Sequence, residues 1–258
     1  MSGYSPPRQG RSRDQTEPLL ALRRVSKFFG ALRALHQVDF SIYPSEIQAL
    51  VGDNGAGKST LVKTISGAHR ADEGQFFFKG EPVSIASPDD SFALGIATVY
   101  QELSLVGTRD VAHNLFIGRE PTKWAMVDRR RMVTEARQVI GLLNVDIPSV
   151  DALVANLSGG QRQAVAIGRA VHEGRSILVL DEPTAALGVR ESHQMMTLIE
   201  KLRDQGKAIL IVSHNLLHVF RIADCITVLR GGGVVGTRRK AETSVDEIVK
   251  MITGADML

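Results

Sequence analysis

The sequence predicts an α/β fold: a largely parallel sheet covered on both faces, with a small antiparallel β region and an inserted helical subdomain. Three observations carry this. The runs Ile47–Val51, Ser176–Leu180 and Ala208–Val212 are apolar and of strand length, as strands buried on both faces are. Helical signals separate them, in Lys58–Ser66, Asp128–Leu143, Gln163–Val171 and Glu191–Arg203. Strands that alternate with helices imply crossover connections and hence parallel pairing.

Taken in order, residues 1–17 are rich in Ser, Pro, Gly and Arg and lack the apolar stretch of a signal peptide, so a disordered tail is expected before a single domain over 18–258. Leu19–Val25 and Val38–Ile42 read as short strands, with a turn at Tyr43-Pro44-Ser45. Ile47–Val51 runs into a glycine-rich segment and then a helix over Lys58–Ser66, stopped by Gly67. Gln75–Phe78 and Ile96–Tyr100 read as further strands. Residues 87–156 are expected to form the helical subdomain, since Met132, Val133, Ala136, Val139, Ile140 and Leu143 recur at helical spacing. Cys225–Leu229 is strand-like.

Composition excludes several function classes. Hydrophobic residues make up 43% of the 258 and charged ones 23%, as in soluble α/β domains. A net charge of +3 makes no case for nucleic-acid binding, and the clusters 129–131 and 238–240 read as solvated surface. One cysteine excludes a disulfide framework or a cysteine metal site, and Cys225 reads as a small buried thiol. No apolar run approaches the ~18 residues of a membrane helix, so the chain is expected in the cytoplasm.

Three motifs carry chemistry. Gly52-Asp53-Asn54-Gly55-Ala56-Gly57-Lys58-Ser59 fits a phosphate loop between a strand and a helix. Its glycines let backbone N–H groups wrap around phosphates, Lys58 brings a point charge to the β- and γ-phosphates, and the Ser59 hydroxyl can ligate Mg²⁺. Asp181-Glu182 ends an apolar strand: Asp181 is placed to hold Mg²⁺ and Glu182 to act as general base toward water. Leu157-Ser158-Gly159-Gly160-Gln161 opens a helix. By itself it reads as a serine helix cap with flexible glycines, or as a second anion site.

In combination these motifs resemble the ATP-binding cassette (ABC) family, with its P-loop NTPase-type sheet, over about Leu19 to Met251. The resemblance implies a MgATP-hydrolysing enzyme. Phe29 matches the aromatic that stacks on adenine, and Gly52, Asp53, Asn54, Gly55, Ala56, Gly57, Lys58, Ser59 and Thr60 match the loop on the phosphates. Gln101 matches a glutamine that contacts Mg²⁺ and the attacking water and links the site to the helical lobe. His214 matches the histidine that touches the γ-phosphate; the other six histidines are given no role. Ser158, Gly159, Gly160 and Gln161 match the signature that meets the ATP of a second copy in a sandwich dimer. Gly188 stands where the family usually has an aspartate, leaving a glycine at a helix N-cap and one carboxylate fewer at the dimer interface.

The stretches 99–103 and 114–120 further resemble bacterial monosaccharide importers of the ribose and xylose type, and 181–189 those assigned to fructose. The partners this implies are transmembrane permease subunits and, indirectly, a sugar-binding protein, which would hold the chain at the inner face of the cell membrane. Residues 102–120 would carry the coupling. Two other readings remain: a soluble cassette ATPase acting on a protein assembly such as iron–sulfur machinery, and a DNA-repair cassette. The latter is disfavoured because no long coiled-coil insertion separates the loop from the signature.

Overall fold

The computed structural model describes residues 17–143 and 145–255, so all but the last residue of the expected N-terminal tail lies outside the described residues. The chain opens with β1 (Leu20–Phe29) and β2 (Leu32–Ile42), then β3 (Ile47–Val51), α1 (Lys58–Ile65), β4 (Glu73–Phe78) and β5 (Glu81–Val83). The middle section is α2 (Pro88–Ala93), β6 (Ile96–Val99), α3 (Val111–Phe116), the hairpin β7 (Thr122–Lys123) and β8 (Met126–Val127), and α4 (Arg129–Leu143). There follow α5 (Gly159–His172), β9 (Ile177–Asp181), α6 (Val189–Asp204), β10 (Ala208–Val212), α7 (Leu216–Ile222), β11 (Cys225–Arg230), β12 (Gly233–Arg239) and α8 (Val245–Thr253).

The main sheet has the order β12-β11-β3-β10-β9-β6 and is parallel except for β12. Side-chain alternation divides its apolar strands between two layers of core. Ala49, Leu178, Leu180, Ile209 and Ile211 face one layer, where they meet Leu115, Met132, Ile167, Ile199 and Ile222 from the helices α3 to α7. Leu50, Ile177, Val179 and Leu210 face the other, against Leu61 and Ile65 of α1 and against Leu20, Leu35 and Phe76 of the antiparallel sheet β2-β1-β4-β5. Each Leu, Ile, Val, Met or Phe side chain among these, fully buried, contributes about 1.5–3 kcal/mol, which is why runs without polar alternation settle at the centre. Gln48, buried in β3, donates to Thr227 Oγ1 at 2.8 Å, and Thr227 shares a hydrogen bond of 2.8 Å with the exposed Thr237; the buried polar groups of β3 and β11 are thus satisfied.

Several boundaries differ from expectation for identifiable reasons. β1 continues to Phe29 and pairs with β2 in one long hairpin, but register shifts near Arg24, whose φ is 50°, break the alternation that pattern reading follows. The helices α2, α3 and α7 have six or seven residues, too few to show a period, although Ser87, Asp110 and Asn215 each cap one with a side-chain acceptor. The stretch 87–156 divides between layers: β6 is the edge strand of the main sheet, whereas α3 and α4 pack on α5, which begins beyond that stretch. The helical layer shares one continuous core with the sheet. The basic clusters lie at the surface, where Arg129 pairs with Asp110 (2.9 Å) and Asp151 (2.6 Å), Arg131 with Glu135 (2.6 Å) and Arg238 with Glu247 (2.7 Å). Cys225 is buried.

Candidate nucleotide site

At the end of β3 the chain turns through Gly52, Gly55 and Gly57, with φ of 154°, 78° and 104°. Two of these positions exclude any side chain. A Cβ on Gly52 would lie 2.2 Å from the Leu229 carbonyl oxygen, and one on Gly57 2.7 Å from that of Ala34. Gly55 has open space around it and needs glycine for its backbone alone. Lys58, the first residue of α1, donates from Nζ to the Gly52 (2.8 Å) and Asp53 (2.9 Å) carbonyls, so its ammonium lies inside the loop. Ser59 and Thr60 follow on the first turn of α1, where the free N–H groups of the helix point out of its end.

The main sheet places β9 two strands from β3, across β10, so Asp181 and Glu182 emerge at the same end as the glycine loop. Asp181 is half-buried, and burial, reinforced by the adjacent Glu182 charge, raises its carboxyl above the ordinary range against the pull of Lys58 and Lys63. Glu182 has a φ of 50° and donates its N–H to the Val212 carbonyl at 2.9 Å, which turns its side chain back toward β10. Its Oε1 accepts from the backbone N–H of His214 at 3.0 Å and lies 2.8 Å from His214 Nδ1. A left-handed conformation at a residue with a Cβ is costly, and such positions cluster at functional sites. His214, Ser213 and the loop residues Gly52, Asp53 and Asn54 line one cleft of about 360 Å³.

The remaining candidate residues are distributed around this group. Val99 pairs with Leu180, so Gln101 leaves β6 beside the acidic strand end; it is exposed and makes no hydrogen bond among the described residues. Phe29 is 43% exposed at the end of β1, its ring edge-to-face with His69 at 5.2 Å. Ser158 caps α5: its hydroxyl accepts from the Gln161 N–H (3.3 Å), and Gln161 Oε1 accepts from the Ser158 N–H (2.9 Å). Ser158, Gly160 and Gln161 line a different cleft, of about 520 Å³, which shares no lining residue with the one at the glycine loop. Gly188 is the N-cap of α6, its N–H bonded to Glu191 Oε2 at 3.3 Å.

Two contacts were not foreseen from the sequence. His69 flanks Phe29, and no motif signals it. Glu191 accepts the Gly188 N–H at 3.3 Å and packs on Gly160, and the Ser158 hydroxyl and the Gly188 and Gly160 N–H groups around it hold its carboxyl below the ordinary range. Its position three residues after the Gly188 cap was a readable signal.

A glycine loop wrapped around a lysine at the end of a parallel strand, with an acidic pair on the strand next but one, is the arrangement of P-loop nucleotide hydrolases. Residues 35–185 match the ABC transporter family. The chain is 43% identical over 235 residues to the xylose/arabinose import ATP-binding protein of Sulfolobus acidocaldarius, covering 91% of this chain and 94% of that protein. It is 42% identical to the ribose import ATP-binding protein of Chromobacterium violaceum over 92% of this chain, but spans only 47% of that longer protein. A solved ATP-binding cassette of an ABC transporter in its ADP conformation matches with a TM-score of 0.81 and 27% identity, over 93% of this chain and all of that one. A dimeric cassette bound to ADP and Pi matches with a TM-score of 0.72 and 25% identity, over 86% of this chain and 98% of that one. The chain belongs to the ABC transporter family, as an ATP-binding subunit that hydrolyses ATP.

Proposed function

We propose that this chain is the ATPase of a monosaccharide importer, working as a pair of copies that close around two ATP molecules. The observation that carries the pairing is that the chain's two anion-binding elements, the loop 52–60 and the signature 157–161, open into separate clefts. Each is half a site, and a second copy supplies the missing half. The import direction and the sugar rest on likeness to the xylose/arabinose and ribose import proteins. Among sugars, the run 181–189 with its Gly188 supports fructose. No helix among the described residues is long and apolar enough to cross a membrane, so membrane attachment is proposed to come through permease subunits, with a sugar-binding protein acting through them.

In this reading Phe29 stacks on adenine, the N–H groups of 52–60 and the Lys58 ammonium hold the phosphates, and Glu182 takes a proton from the attacking water while His214 fixes its orientation. The donors present suit Mg²⁺. Ser59, Gln101 and Asp181 offer hard oxygens, and Asp181 is a half-buried carboxylate whose charge a cation would relieve. Held by Ser59, Gln101 and Asp181, Mg²⁺ would supply positive charge that neutralises the charge developing on the phosphates.

The test reconstitutes the chain with its permease and binding protein in liposomes. ATP turnover should rise when sugar-loaded binding protein is added, because it favours the closed pair. An unchanged rate, with ATP-dependent pairing also absent on gel filtration, would overturn the reading.

A further inference from the structure

The segments that carry Glu182 and His214 leave the neighbouring strands β9 and β10 at one end of the main sheet. There Glu182 Oε1 meets the His214 N–H and Nδ1, which joins the two segments across the site. A second side-chain hydrogen bond joins them farther along each chain. Thr184 Oγ1 and His218 Nδ1 lie 3.0 Å apart, two residues beyond Glu182 and four beyond His214. Neither residue lines the cleft at the glycine loop.

Both partners of this bond are themselves fixed. The Ala185 N–H donates to the Glu182 carbonyl at 3.2 Å and the Leu187 N–H to that of Thr184 at 3.3 Å, so Thr184 sits inside a tight turn. On the other side Ser213 Oγ accepts the Asn215 N–H at 3.1 Å, and Asn215 Oδ1 accepts the His218 N–H at 3.2 Å, which sets the first turn of α7 against the end of β10. Thr184 is only 8% exposed. The cavity beside the pair holds about 10 Å³, at the lower limit for one water, and Met196, Ile199, Ile211 and Val219 make most of its wall. A dry cavity offers the hydroxyl no substitute partner, so losing His218 would leave a buried polar group unpaired.

The Glu182 turn is the element that needs such a hold. Its φ of 50° is a conformation that persists only where the surroundings over-determine it. The bond from the Glu182 N–H to Val212 fixes where the turn begins, and the bond from Thr184 to His218 fixes where it leads. We propose that His218 is a positioning residue: through Thr184 it holds the strained Glu182 turn and the start of α7 at the spacing that sets the carboxylate against His214 and the attacking water. It does so without touching the nucleotide. The role rests on the reading of Glu182 as general base.

The full-length protein and its variants are compared by phosphate release at saturating MgATP, by ATP titration and by Tm. A catalytic group displaced by about 1 Å can lose about 10²-fold in rate; with the bond to Val212 still in place, His218→Leu should lower kcat roughly tenfold and leave ATP affinity within about twofold of the parent. Thr184→Val cuts the same bond from the other side and should do the same, and the double variant should lose no more than either single one. His218→Asn puts an amide atom where Nδ1 stood, able to donate or accept, and should recover most of the loss. A residue that served stability alone would move Tm and leave the kcat of the folded enzyme unchanged. Unchanged kcat in both single variants, losses that multiply in the double variant, no recovery in His218→Asn, or a loss carried by ATP affinity alone overturns the proposal. Glu182→Gln is run beside them. If it turns over at the parent rate, the general base fails and the positioning role with it. If it is inactive while His218→Leu and Thr184→Val keep the parent rate, the positioning role alone is overturned.

Discussion

Replacing Glu182 in two ways separates its chemistry from its structural contribution. The carboxylate is 13% exposed and its Oε1 receives two donors of His214, the backbone N–H at 3.0 Å and Nδ1 at 2.8 Å. In Glu182→Gln the amide oxygen can still accept from the backbone N–H, so the loop after β10 keeps its anchor, but the side chain can no longer take a proton from water. Turnover should fall about 10²–10⁴-fold with ATP affinity retained. In Glu182→Ala both hydrogen bonds go. Bonds to a charged group are worth about 1.5–3 kcal/mol, and since His214 is 68% exposed, water replaces part of its share; we expect a total in that range rather than twice it. For a chain of this size the loss corresponds to a Tm lower by about 3–12 °C. Phosphate-release kinetics, ATP titration and calorimetry on the three proteins decide the matter. Turnover of Glu182→Gln near the parent rate refutes the general base, and a Tm of Glu182→Ala equal to that of Glu182→Gln refutes the anchoring role.

Two further outcomes follow from the site. Phe29→Ala should weaken ATP binding by about 1–3 kcal/mol, the worth of one base–aromatic stack, with little change in Tm because the ring is already half exposed; equal affinity by titration calorimetry would remove Phe29 from the site. Asp181 has a carboxyl raised in the folded state, so the stability it contributes is complete below the unfolded value of about 3.9 and is lost as pH rises through the raised folded value. Metal-free Asp181→Asn should therefore gain on the parent in Tm as pH increases from 4 to 8 while losing ATPase activity, and a pH-independent Tm difference would contradict this.

The sequence was most legible where several signals coincide. Ile47–Val51 and Ala208–Val212 are strands with the expected limits, because complete burial leaves one long apolar run and the flanking turns mark its ends. The glycine loop was readable for a different reason: Gly52 and Gly57 are forced by backbone approach and Gly55 by its φ, so the residue types themselves record the geometry. Less was legible where tertiary contacts decide. Nothing local tells that Phe29 meets His69, forty residues on, or that β6 closes the sheet edge while its neighbours in sequence join the helical layer. The φ of 50° at Glu182 also carries no sequence signal, since glutamate does not favour it; the bond from its N–H to Val212 imposes it.

That imposed turn begins a short, continuously anchored segment that ends at the signature. Glu182 is fixed to β10, the Ala185 N–H donates to the Glu182 carbonyl at 3.2 Å, and Leu187 donates to that of Thr184 at 3.3 Å. Thr184 Oγ1 lies 3.0 Å from His218 Nδ1 on α7, which ties the middle of the segment to the helix after His214. Gly188 then starts α6, and Glu191 on its first turn accepts the Gly188 N–H at 3.3 Å and packs on Gly160 of the signature. Three elements thereby meet within ten residues: the acidic pair, the segment after His214 and the cap of α5. With so many fixed points, a shift of the Glu182 turn has little slack to absorb it before it reaches Ser158. In the proposed sandwich Ser158 serves the partner's nucleotide while Glu182 serves its own, so this segment, through the packing of Glu191 on Gly160, links the two sites. Gly188 contributes no carboxylate to it; the acidic group facing the signature is Glu191, which its hydrogen-bond donors hold ionised.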